Sequence, residues 1–95
     1  MQPSNDNLPP PVFVIIGRVR RDEDGPDEAV HILLTAPDDD SAVRLALEAL
    51  ASQSYLEAEL DQIGELLEMP EEEPHASAYQ GALEGEIAIL TLGEE

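Results

Sequence analysis

Apolar positions fall in short blocks with two different periods. In Val12–Arg20, an extended chain would place Val12, Val14 and Ile16 on one side and Phe13, Ile15 and Val19 on the other. A segment apolar on both sides predicts a strand in the interior of a sheet. Gly17 predicts a bulge or a close backbone approach. Beyond it, Arg18 and Arg20 put charge on the first side. Residues 29–35 (AVHILLT) repeat the alternation, with Val30, Ile32 and Leu34 on one face. The polar stretch between them contains Gly25-Pro26, so the pair predicts an antiparallel hairpin.

The period then changes. Pro37 ends the second strand, and Asp38, Asp39, Asp40 and Ser41 supply capping oxygens for a helix over 41–52. Val43, Ala46, Leu47 and Leu50 make its expected apolar stripe, with Asp40, Arg44 and Glu48 as an i,i+4 ladder outside. Residues 55–69 carry both periods. Leu56, Leu60, Ile63 and Leu67 have helical spacing, whereas Leu56, Ala58 and Leu60 alternate with Glu57, Glu59 and Asp61. Gly64 disfavours a helix interior by about 1 kcal/mol, and alternation predicts a strand over 55–66. Residues 70–74 (PEEEP) break the chain. A short helix follows over 76–83, with Ala76, Tyr79 and Leu83 on one side, closed by Gly85. Residues 86–92 (EIAILTL) predict a last strand, apolar on both faces.

The order β-β-α-β-α-β predicts an α+β two-layer sandwich: a four-stranded, mostly antiparallel sheet with helices on one face. The alternative has residues 55–69 helical, giving a helical hairpin on a three-stranded sheet. The order resembles ferredoxin-like folds but departs from them in its opening β-β, and a fold resemblance carries no function. Residues 1–11, with Pro9, Pro10 and Pro11, read as a flexible Pro-rich tail. Residues 12–93 read as a single acidic domain.

Charge is the most unusual property of the chain. Among 95 residues there are 22 acids, four arginines and no lysine, for a net charge of −18. Three of the four arginines lie in residues 1–21, so the remainder is almost uniformly negative. Leu, Ile, Val and Phe still make up about a quarter of the chain, above the ~20% level below which such charged chains stay unfolded. With one Phe, two Tyr and no Trp, the core is expected to be aliphatic. The sequence shows no signal-peptide pattern and no apolar run long enough to span a bilayer. Absence of cysteine suits a cytoplasmic setting. Direct contact with nucleic acid or an anionic membrane is disfavoured, because both carry the same sign of charge.

Candidate chemistry is thin. Asp22-Glu23-Asp24-Gly25 starts like a calcium loop, but its Gly comes too early and the twelfth position is Leu33. His31 and His75, 44 positions apart, have no zinc-ligand spacing. His31 reads as a sheet-surface residue. No nucleophile motif or phosphate loop stands out, so no enzyme, catalytic residue, cofactor or metal is expected. The acids themselves are the remaining signal. On a strand, Glu57, Glu59 and Asp61 would project together about 6.6–6.8 Å apart. With Glu48 they form the candidate partner-binding set.

Such a surface predicts a protein-interaction module for a basic protein partner, in the manner of small acidic inhibitors that imitate nucleic acid. The likeness to those inhibitors is one of composition. An alternative is a structural module or homodimer, in which a sheet face carrying Val12, Val14 and His31 is the interface and acidity serves solubility. A third is a weak sensor of divalent cations or small molecules.

Overall fold

The structure is a computed structural model and describes residues 11–92. The tail expected over residues 1–11 therefore lies, apart from Pro11, outside the described residues. The element order is β1 (Val12–Arg20), β2 (Glu28–Thr35), α1 (Asp39–Ser52), β3 (Glu57–Leu66), α2 (His75–Leu83) and β4 (Ala88–Leu92). The strands form one antiparallel sheet in the order β3-β1-β2-β4. The fold is α+β, with the β-β-α-β-α-β order and the four-stranded sheet expected from the sequence. Residues 57–66 are a strand, so the helical-hairpin alternative does not hold.

β1 lies inside the sheet because both of its sides are apolar. Phe13, Ile15 and Val19 pack with Val30, Ile32 and Leu34 of β2 against Ala42, Ala46 and Leu50 of α1. Val12 and Val14 point the other way and pack with Leu33 and with Ala78, Ala82 and Tyr79 of α2. The two helices therefore lie on opposite faces of the sheet, where the sequence reading placed both on one face. β2 explains the division, since Leu33 is as fully buried as Ile32 and Leu34. A strand buried on both faces needs a cover on each. Neither this layering nor the strand order keeps the ferredoxin-like resemblance.

α1 begins two residues before the expected 41, within the run of capping residues. Asp38 is its N-cap, and its Oδ1 accepts a hydrogen bond from Ser41 N at 2.8 Å. Its buried stripe is Ala42, Ala46 and Leu50; Leu47 is exposed, so the helix is rotated relative to the expected stripe. Arg44 makes no ion pair within 4.0 Å among the described residues, and the Asp40–Arg44–Glu48 ladder does not close. After α1, Ser54 takes a left-handed conformation (φ 71°), and Leu56 N donates to Arg20 O at 2.8 Å, which starts β3 alongside β1.

α2 buries alanines (Ala76, Ala78 and Ala82), while Leu83 is exposed, in contrast to the expected Ala76/Tyr79/Leu83 side. Gly85, at φ 99°, ends it in the left-handed region that glycine favours. β4 is an edge strand, half-buried except at exposed Thr91. Its two faces join different cores: Ile89 packs on the α1 side, Ala88 and Leu90 on the α2 side.

Candidate functional site

The acids singled out in the sequence fall on two separate surfaces. Glu57 and Glu59 project from β3 on the face opposite α1. Glu48 is exposed on α1, which covers the other face. The structure gathers Glu57, Glu59 and Asp61 into one cluster and leaves Glu48 apart from it.

That cluster is not a bare anionic stripe. In the β1–β3 register, Arg20 is the partner of Glu57 and Arg18 the partner of Glu59. Arg18 Nη2 donates to Glu59 Oε1 at 2.9 Å, and Arg18 Nε lies 3.5 Å from Asp61 Oδ2. Arg20 Nη2 is hydrogen-bonded to Glu57 Oε1. Three carboxylates thus face two guanidinium groups, and most of the local charge is compensated. Opposite charges directly across an antiparallel pair favour that pairing. A cleft of about 400 Å³ opens here, lined by Arg18, Arg20, Asp27, Glu57 and Glu59 among others.

Asp61 reaches Arg18 through a β-bulge. Ile16 pairs with Gln62 and Gly17 with Leu60, so Asp61 is the extra residue. The bulge also restores the core. Ala58 and Leu60 face α1, and without an added residue Ile63 would point away from it; with one, Ile63 joins the same cluster. Gly17 is the reason β3 can approach. A Cβ there would lie 2.1 Å from the backbone oxygen of Glu59.

Arg21 is engaged as well. Its Nη2 donates to Tyr55 Oη at 3.0 Å, and its guanidinium carbon lies 4.8 Å from the Tyr55 ring centroid. The hydrogen bond to Tyr55 leads the effects that raise the pKa of Arg21 above its ordinary value. Three of the four arginines are therefore committed to contacts with residues distant in the chain. Every described carboxylate other than Glu57, Glu59 and Asp61 is without an ion-pair partner. These include the acids of loop 21–27, those opening α1, Glu48, and Glu71 to Glu73. The Asp38 carboxyl sits below its ordinary range, chiefly because Ser41 N donates to it.

The structure brings together one pair that sequence spacing separated. His31 on β2 and His75 at the start of α2 meet with Nδ1 and Nε2 2.8 Å apart, their rings edge to face at 64°. His31 is half-buried beneath α2 rather than on an open sheet surface. Burial, and then the neighbouring His75, lower its pKa below the usual histidine value. Its alternation with Leu33 was the available sequence signal, but that signal could not say which element would lie above. The same helix packs over Val12 and Val14, which with His31 made up the face expected as a dimer interface.

Among the described residues, no group of three or more His, Cys, Asp or Glu side chains is arranged to hold a metal ion. No helix among them is long and apolar enough to cross a membrane. No protein-family model, curated protein or solved structure matches this chain.

Proposed function

We propose that this chain is an acidic protein-interaction module that binds a basic surface on another protein, in the cytoplasm, by electrostatic complementarity. The observation that supports it is the disposition of the arginines. Arg18 and Arg20 are turned onto β3 and Arg21 onto Tyr55. The positive charge is thereby used to hold the fold together, while the carboxylates of the loops and of α1, Glu48 among them, face solvent without cations. A field of one sign steers a partner of the other sign and speeds encounter more than it tightens the final complex.

In this reading Glu57, Glu59 and Asp61 contribute less than the uncompensated acids, because two arginines accompany them. The fitting partner is a basic surface of the kind that otherwise meets nucleic acid. A duplex presents one charge per ~1.7 Å of axis, so a single strand's stripe is too sparse to imitate it. Several acidic segments must act together, and the work proposed is binding, not catalysis.

The test is capture of a basic protein from the native host at low salt, followed by kinetics on the purified pair. The association rate should fall about tenfold between low and near-physiological salt. It should fall again in a variant carrying Glu48→Lys with Asp22→Lys and Asp24→Lys. Failure to bind any basic protein, or an association rate indifferent to salt, would refute the proposal.

A further inference from the structure

α2 packs on the sheet through small side chains and Tyr79. Its nine residues bury only alanines, and its N-cap, Pro74, offers no side-chain hydrogen bond. Two polar ties join it to β2. Thr35 Oγ1 donates to Ala82 O at 3.4 Å near its end, and His31 Nδ1 meets His75 Nε2 at 2.8 Å at its start.

The second tie depends on protonation. A hydrogen bond between imidazoles needs one nitrogen to donate and the other to accept, and an imidazolium has no accepting nitrogen. The contact can form with both rings neutral or with one charged. With both charged it is a repulsion between two cations whose ring centroids are 5.1 Å apart.

The surroundings offer little to offset that repulsion. β1 places Ile16 opposite His31, with Arg18 next on the same face, a cation already engaged by Glu59 and Asp61 of β3. β4 places Leu90 opposite His31 and carries no charged residue. From α2 come His75 and Tyr79; just before the helix, the Glu73 carboxylate accepts a hydrogen bond from Ser77 N. His31 itself is shifted toward neutrality by burial and by His75, with no carboxylate among the causes.

We propose that His31 and His75 form an acid-released clasp: protonation of both rings frees α2 from β2 and uncovers the apolar sheet face beneath it. That face is Val12 and Leu33 with Val14, Leu66 and Leu90 around them. The opening is local. α1 and its larger core of Ile15, Ile32, Leu34 and Leu50 lie on the other side of the sheet and do not depend on the clasp.

Hydrogen exchange on the full chain tests this, with α1 amides as the internal reference and intrinsic rates corrected. Between about pH 7.5 and pH 5.0, protection of the α2 amides relative to α1 should fall about tenfold or more, the response to one extra proton over a pH unit. In His31→Gln, where the amide can keep the hydrogen bond without titrating, the ratio should stay flat; in His75→Gln, where burial still disfavours a charged His31, the fall should be smaller than in the natural chain. A flat ratio in the natural chain, or the same fall in both variants, would overturn the proposal. Imidazole nitrogen titration of the natural chain gives a second readout. The His31 step should fall below the ordinary histidine value and coincide with loss of α2 protection. A His31 step at which α2 protection is unchanged would count equally against it.

Discussion

Arg18 of β1 and Glu59 of β3 are register partners in the antiparallel sheet, and their side chains close an ion pair at 2.9 Å. Arg20 and Glu57 repeat the arrangement two residues along. The arginine-bearing first strand and the acidic stripe of the third are therefore one device. It fixes which residues of β3 face which residues of β1, and it covers an edge strand with charge, which discourages pairing with further chains.

Removing the two arginines separates their structural role from their electrostatic one. Exposed ion pairs contribute from nothing to about 1 kcal/mol each, and here their loss also leaves three acids together on one strand. Arg18→Ala with Arg20→Ala should lower unfolding stability by about 1–2 kcal/mol at low salt and by less at high salt. Urea unfolding at two ionic strengths measures this. The same variant should associate faster with a basic partner, since Glu57, Glu59 and Asp61 are then uncompensated. Slower association would mean that the arginines themselves meet the partner.

Gly17→Ala should be among the most damaging single changes. The new Cβ would meet the Glu59 carbonyl oxygen at 2.1 Å, a backbone atom that cannot rotate aside. β3 would have to move off β1, at a cost of about 3 kcal/mol or more. Gly64, in the same sheet, is the control. A Cβ there meets nothing within 4 Å, so Gly64→Ala should leave stability within about 0.5 kcal/mol of the natural chain. Equal effects at the two positions in denaturant unfolding would contradict the close approach.

Much of this architecture was legible because local and long-range signals agreed. The doubly apolar start of β1 placed it inside the sheet, Gly17 marked the close approach, and Asp38 marked the start of α1. The phase change in β3 was harder to read. Ala58 and Leu60 alternate correctly, but Ile63 rejoins their face only because Asp61 is bulged out, and that mixture imitates helical spacing. The residues that completed the helical reading, Leu56 and Leu67, are exposed, Leu67 at 82%. What decides for the strand is partly remote, namely Arg18 and Arg20 waiting on β1. The faces taken by α1 and α2, and the meeting of His31 with His75, depend on how the chain crosses the sheet, which periodicity does not encode. For the candidate site, the acids were visible as residues, but their compensation was not, because it is a property of the register.

Asp38 gives a pH-dependent test of the first turn of α1. Its carboxyl sits below the ordinary 3.8 because Ser41 N donates to the charged form. A depressed carboxylate stabilises the folded state fully above its unfolded pKa, and the contribution is lost as pH falls through the folded value. Asp38→Ala should therefore lower the urea midpoint at neutral pH, with early fraying of the first turn. The difference between variant and natural chain should shrink below the ordinary 3.8 and close once Asp38 is protonated in the folded protein. A difference that persists unchanged into strong acid would mean that the cap acts through something other than its charge.

Salt should stabilise the whole protein. With a net charge of −18 and most described acids unpaired, the folded chain holds like charges closer together than the unfolded chain does. Screening reduces that repulsion, since the Debye length falls from about 30 Å at 0.01 M to about 3 Å at 1 M. The few ion pairs weaken under the same conditions, but they are exposed and small in worth, so repulsion is the larger effect. Raising NaCl from about 0.02 to 0.5 M should lift Tm by about 5 °C. In Arg18→Ala with Arg20→Ala the gain should be larger, because the screened repulsion is greater and the opposing ion pairs are gone. A Tm that is flat in both proteins would mean that the acids are too far apart to feel one another, and the field invoked for steering a basic partner would then be too weak for that purpose as well.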